Sequence, residues 1–195
     1  MVHAAREAQW PEVIELFEVA AAVQAFCGRE GLDFCFIGGL ALQRYGEARV
    51  TRDVDLSVLA GFGGEERIAN LFLREFSPRI PDALEFAVTN RVLLVEVAGV
   101  GVDVSLTALP YEEEMVARAT EFAFIPGQPL RICTPEDLII LKSFAARPQD
   151  WIDVGNVIAR QVTLDWDYIV PRITGLAELK EEPELVTRLL ALRHG

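Results

Sequence analysis

From Asp53 to Val58 the chain alternates polar with branched apolar residues: Asp53-Val54-Asp55-Leu56-Ser57-Val58. A period of two is the period of a strand. It sends Val54, Leu56 and Val58 to a buried face and sets Asp53 and Asp55 side by side on the other. Two carboxylates held together repel, which costs free energy unless a cation sits between them. Hard oxygen donors of this kind suit Mg²⁺. This short segment therefore asks for a half-buried strand and a bound cation at once.

Two further segments complete the pattern. Val102-Asp103-Val104 places one more carboxylate on the polar side of an apolar run. If the two strands are neighbours, Asp103 enters the same space. Three carboxylates on adjacent strands can hold two ions about 3.5–4 Å apart, one activating a hydroxyl and one bridging a triphosphate. Upstream stands Gly38-Gly39, with thirteen residues between it and Asp53. Glycine lets backbone approach a phosphate, and a helix starting there would aim free N–H groups at it. Taken singly, a Gly-Gly is usually a turn, an Asp-x-Asp a solvated strand face, and a Val-Asp-Val an exposed position. Their occurrence together, in this order and flanked by apolar residues, points to a metal-assisted triphosphate site.

Composition narrows the chemistry. The 195 residues include two histidines, His3 and His194, each near a terminus. A zinc site, a Ser-His-Asp triad and a Cys-His dyad all require a firmly held imidazole. Catalysis is left to carboxylates, Lys, Arg and metal. Cys27, Cys35 and Cys133 are odd in number and form no CxxC, which fits buried thiols in a reducing, cytoplasmic setting. Lys and Arg total 18 against 30 Asp and Glu, a formal charge of −12. Such acidity argues against a broad nucleic-acid surface and is compatible with cationic small substrates. Met1 to Trp10 holds no signal-peptide core, and Val13 to Phe26 is broken by Glu15 and Glu18, so no membrane association is expected.

The length favours one domain, or a core with a short appended unit. A helix is expected from about Pro11 to Arg29, ended by Gly31, and a buried strand over Asp33–Ile37. Gly38-Gly39 should turn the chain into a short helix from Leu40 to Tyr45. A helix over Glu65–Phe76 follows the Asp-x-Asp strand. Then come strands at Arg91–Val97 and Gly101–Leu106 about a turn at Ala98-Gly99-Val100. Glu112–Ala119 reads as helix and Leu130–Cys133 as strand. Thr134-Pro135-Glu136-Asp137 opens a further helix with an N-cap Thr, Pro at the first position and an acid three residues on. Another begins near Asp150, and the chain stays helical beyond Leu164. Within the Thr134 helix, Lys142 lies among apolar neighbours, so it either snorkels to water or meets an anion. Asp150 reads equally as a helix N-cap.

The stretch Ile37-Gly38-Gly39-Leu40-Ala41-Leu42-Gln43-Arg44-Tyr45-Gly46, then Arg49-Val50-Thr51-Arg52-Asp53-Val54-Asp55-Leu56, then Val102-Asp103-Val104 resembles the signature of the DNA polymerase β-like nucleotidyltransferase superfamily. It is similar to the AbiEii-like branch, which includes abortive-infection toxins and many bacterial proteins. Thr134-Pro135-Glu136-Asp137-Leu138, Lys142, Asp150 and Asp153 extend the likeness, which spans roughly Phe36 to Val154. The resemblance implies an α/β (α+β) fold, with a nucleotidyltransferase core (1–130) built on a mixed sheet flanked by helices. A small C-terminal helical unit (131–195) would follow. It implies transfer of a nucleoside monophosphate from an NTP to an acceptor hydroxyl, with Mg²⁺ or Mn²⁺ as cofactor. Asp53 and Asp55 would be metal ligands and Asp103 the third acid, a ligand or general base. Gly38, Gly39, Thr51 and Arg49 would face the triphosphate. Lys142 would contact phosphate, oriented by Asp150 or Asp153. An AbiEii-like toxin would act on RNA and pair with an antitoxin, but the acidic C-terminal part, with Glu178, Glu181, Glu182 and Glu184, disfavours an RNA acceptor. A cationic antibiotic or a protein acceptor, and a non-catalytic nucleotide-binding or antitoxin-like protein, are the competing expectations.

Overall fold

The computed structural model describes residues 10–47 and 51–193, with side chains from Glu15 onward. The N-terminal stretch, Arg49, His3 and His194 lie outside the described residues. Among the described residues, seven strands form one mixed sheet flanked by nine helices, which is the expected fold class.

Helix α1 (Trp10–Arg29) leads into β1 (Phe34–Phe36), α2 (Gly38–Tyr45) and β2 (Asp53–Leu59). Next come α3 (Glu65–Glu75), β3 (Ser77–Pro78), α4 (Ala83–Asn90), β4 (Val92–Val97) and β5 (Val100–Thr107). Helix α5 (Pro110–Arg118), β6 (Thr120–Ile125) and β7 (Gln128–Ile132) complete the sheet. Four helices finish the chain: α6 (Pro135–Ala145), α7 (Pro148–Arg160), α8 (Trp166–Lys180) and α9 (Glu184–Arg193). The strand order is β3-β4-β5-β2-β1-β7-β6. Strand β2 runs parallel to β5 and β1 parallel to β7, while the other neighbours are antiparallel.

The alternation in β2 resolves as its pattern requires. Val54, Leu56 and Val58 are fully buried, as are Val102 and Val104 of β5 and Leu93 and Val95 of β4. Helix α1 packs onto β2, β5 and β7 and contributes Ala20, Val23, Phe26 and Cys27 to the same core. All three cysteines are free and buried. Burial pushes the Cys27 and Cys35 thiols up to about 12, so both are inert at neutral pH. No described helix is long and apolar enough to cross a membrane.

Several boundaries differ from expectation, for local reasons. Helix α2 starts at Gly38 rather than Leu40, with Gly38 itself in a left-handed turn (φ 53°) that bends the chain into it. The β4–β5 hairpin turns on Ala98 (φ 51°) and Gly99 (φ 84°), leaving Val100 inside β5. Two positive φ values suit the right-handed twist of a two-residue hairpin. Helix α7 starts at Pro148, so Asp150 is its third residue, accepting from Arg147 N–H at 3.2 Å. Strand β6 and helix α4 were not anticipated. Strand β6 is an edge strand, largely exposed and defined by its pairing with β7. Helix α4 has the left-handed residues Asp82 and Arg91 at its ends and buries Ala83 and Ala87, one turn apart. Thr134 caps α6 as expected, its hydroxyl accepting from Asp137 N–H at 3.2 Å.

Candidate active site

The polar face of β2 and β5 forms the floor of a cleft of about 630 Å³. In the parallel ladder, Asp55 stands opposite Asp103, and Asp53 stands opposite Gly101. Residues paired in register on neighbouring strands share a face. Asp53, Asp55 and Asp103 therefore line one cleft together. Asp53 is the most open, its side chain 54% exposed, and Asp103 is 38% exposed.

Their electrostatics reflect crowding. Burial raises the Asp55 carboxyl above the usual carboxylate range, and the charges of Asp103 and Asp53 push the same way. A hydrogen bond from Gly39 N–H to Asp55 Oδ2 (3.3 Å) and the charge of Lys142 oppose the rise. Burial raises Asp103 as well, with Asp53 adding to it and Arg79 opposing. Both groups thus lie where an added positive charge is favoured.

The glycine bend is shaped around Asp55. Ile37 N–H donates to Asp55 O at 3.0 Å, and the chain turns at Gly38 into α2. A Cβ on Gly38 would fall on the Asp55 carboxylate, 2.6 Å from its Cγ. A Cβ on Gly39 would overlap Thr51, lying 2.7 Å from the Thr51 Cβ. The first turn of α2 can reach the floor only because both residues lack side chains. We expect Gly38→Ala to destabilise the protein by about 1–2 kcal/mol from left-handed backbone strain alone, with the Asp55 contact adding to it. Chemical denaturation checks this. An unchanged midpoint would contradict the tight packing of the bend.

The opposite wall comes from α6 and α7. Lys142 is 8% exposed. Its Nζ donates to Asp150 Oδ1 at 3.1 Å and to Asp153 Oδ2 at 2.6 Å. Gln149 Nε2 donates to the other oxygen of Asp153 at 3.1 Å. Lys142 therefore meets anions rather than snorkelling to water. Asp150 serves two roles: it accepts from Lys142 and from the N–H of Arg147, the residue just before α7. Lys142 and Asp150 line the cleft across from the carboxylates.

Of the residues singled out in the sequence, Gly38, Gly39, Thr51, Asp53, Asp55, Asp103, Lys142 and Asp150 line this single cleft. Arg49 lies outside the described residues. Alternation of neighbours along a strand would point Arg52 away from Thr51, yet both line the cleft, because they precede β2 and strand alternation does not govern them. Two residues had no sequence signal. Arg147 joins the wall from the loop before α7. Arg79, just after β3, pairs with Asp103 Oδ1 and lies 3.5 Å from Asp53 Oδ1. Only the sheet order brings it there.

As the side chains stand, no three His, Cys, Asp or Glu among the described residues are gathered tightly enough to enclose a metal ion. The donor chemistry nevertheless fits a hard divalent cation. Three carboxylates share one face, Asp55 and Asp103 are raised by burial and by neighbouring negative charge, and a guanidinium has already been drawn between Asp53 and Asp103.

No curated protein matches this sequence. Solved structures do. A crystal structure of an antigenic nucleotidyltransferase-like protein from Paracoccidioides brasiliensis is similar in fold at 16% identity, with a TM-score of 0.52. The match covers 94% of this chain and 99% of that one. The solution structure of the antibiotic-resistance factor ANT(2'')-Ia is similar at 17% identity, with a TM-score of 0.50, covering 94% of this chain and 97% of that one. The family described as nucleotidyl transferase of unknown function (DUF2204) matches residues 16–190, and the chain accordingly belongs to this family of nucleotidyltransferase enzymes.

Proposed function

We propose that the protein transfers a nucleoside monophosphate from an NTP to an acceptor hydroxyl with the help of Mg²⁺ or Mn²⁺ held at Asp53, Asp55 and Asp103. The observation that carries this reading is the shared face of the three carboxylates beneath the Gly38-Gly39 bend, with Lys142 facing them across the cleft. Bound there, divalent ions would supply Lewis-acid activation of the acceptor hydroxyl and charge neutralisation of the triphosphate. The chain's own residues do the rest. The first turn of α2 presents backbone N–H groups toward the phosphates. Lys142, held by Asp150 and Asp153, contributes a fixed positive charge on the far side. Arg52 and Arg147 add charge at the rim. Asp103, opposite Asp55, would accept the acceptor's proton or share a metal. Catalysis of this kind rests on alignment and charge, not on covalent chemistry from the protein.

Within this reading, residues 1–130 carry the chemistry and residues 131–195 close the cleft through α6 and α7. The motif likeness to the AbiEii-like branch favours a toxin-type enzyme that works with an antitoxin partner. The second reading is a cationic antibiotic acceptor. It is favoured by the net charge of −12 and by the fold shared with a resistance factor.

Incubation with Mg²⁺ and each labelled NTP, with added RNA, an aminoglycoside and lincosamide panel, or cell lysate, tests the proposal. Label transfer to one acceptor class that disappears in Asp55→Asn is the expected result. Transfer that persists in Asp55→Asn, or NTP binding without transfer to any acceptor, would overturn it.

A further inference from the structure

Arg79 is tied to the floor of the cleft from a distance. Its own N–H donates to Leu94 O at 3.0 Å, which anchors it beside the edge of the sheet. From there the side chain spans β4 and brings its guanidinium to Asp103, where Nη2 donates to Oδ1, and to 3.5 Å from Asp53 Oδ1. A second feature of the fold makes room for it. Gly101 is the register partner of Asp53. A Cβ there would overlap both Asp53 Oδ1 and Arg79 Nη1 and lie 3.2 Å from Arg79 Cζ. The Gly101 backbone is not left-handed, so what glycine contributes at this position is the space that Asp53 and Arg79 occupy, not a special conformation. The guanidinium is only partly satisfied, because its Nε is buried without a hydrogen-bond partner.

We propose that Arg79 is a resident counter-cation of the carboxylate floor. It holds Asp53 and Asp103 together in the metal-free enzyme and competes with divalent metal for their oxygens, and so sets the affinity for that metal. The inference rests on reading Asp53, Asp55 and Asp103 as metal ligands. Guanidinium and a divalent ion carry the same sign and need the same acceptors, so one must yield at least part of the site to the other. With Arg79 present, the carboxylates do not face each other bare, which removes the repulsion that would otherwise spread them. With Arg79 removed, the floor gains a full unit of negative potential. A unit charge about 5 Å from a divalent ion repels it, even at the dielectric of water, by enough to change affinity roughly tenfold. Arginine suits the task because its planar fork spans two carboxylates, which a lysine point charge does not.

The test is Mn²⁺ binding without nucleotide, followed by calorimetry and by the spin-resonance signal of free Mn²⁺, together with melting of the metal-free proteins. Arg79→Gln is expected to bind Mn²⁺ about tenfold more tightly than wild type. It should also melt at a lower temperature when metal-free and gain more from added Mn²⁺. Arg79→Lys, which keeps the charge and loses the fork, should fall between the two. It also keeps the test valid if Arg79→Gln folds poorly. Unchanged or weaker Mn²⁺ affinity in both variants, alongside binding that Asp55→Asn abolishes, would overturn the role of Arg79 and leave the metal site standing. Wild type that takes up no Mn²⁺, or Asp55→Asn that binds it as well as wild type, would instead refute the metal site and the Arg79 competition with it.

Discussion

Asp55→Asn is expected to lose nucleotidyl transfer and to gain stability. Loss of a metal ligand removes several kcal/mol of charge stabilisation from the transition state, on the order of a thousandfold in rate. Stability should move the other way because of where Asp55 sits. Its folded carboxyl is raised above the ordinary carboxylate range, chiefly by burial. In the unfolded chain it ionises near the usual value of about 4. As pH rises from that value toward the folded one, the unfolded state releases its proton first. The metal-free native state is therefore progressively disfavoured across that window and stays so above it. Asp103, raised for the same leading reason, adds in the same direction. Asn cannot ionise, so metal-free Asp55→Asn should melt above wild type at neutral pH and approach it in acid. The difference should also shrink when Mn²⁺ is added, because metal stabilises only wild type. Thermal melts from pH 4 to 8, with and without metal, read all three trends. A variant that melts below wild type at pH 7 in the absence of metal would contradict this picture of the floor.

Lys142→Met should cost more stability than any other change at the cleft. Asp150 and Asp153 are 7% and 2% exposed, and Lys142 Nζ is the cation that both accept from. Removing one partner of a buried ionic group leaves uncompensated charge and costs about 3–5 kcal/mol. At about 2–4 °C per kcal/mol for a chain of this length, the melting point should fall by roughly 6–20 °C. The same substitution removes the fixed positive charge facing the carboxylates, so transfer should fall too. The two effects separate in the triple variant Lys142→Met with Asp150→Asn and Asp153→Asn. Neutralising the acids should recover most of the lost stability without recovering transfer. A single variant that melts within about 1 kcal/mol of wild type would show that the group carries less of the α6–α7 packing than its geometry implies.

The legibility of this site followed the range of the forces that build it. The Asp-x-Asp strand could be read because period-two alternation is a local property of the backbone, and burial of Val54, Leu56 and Val58 realises it. The α6 start could be read because Thr134 and Asp137 are three residues apart and form the cap between themselves. Helix α4 and strand β6 escaped because their cause is distant. One is defined by burial of two alanines and the other by hydrogen bonds to β7. Arg52 escapes the alternation because it precedes the strand's first residue, Asp53.

What the sequence by itself determined is the set of chemical parts: alternating acids, a paired glycine and a lysine within an apolar helix. Those follow from residue identity and short spacing. The tertiary structure decided which parts meet. The parallel β2–β5 register puts Asp55 opposite Asp103, the turn at Gly38 sets α2 against Asp55, and the packing of α6 on α7 joins Lys142 to two acids. It alone delivered Arg79 to the carboxylates, from just past the edge strand β3, two strands away from β5, and into the space left by Gly101. Strand order is set by burial summed over the whole core, and no local pattern in the sequence encodes that sum.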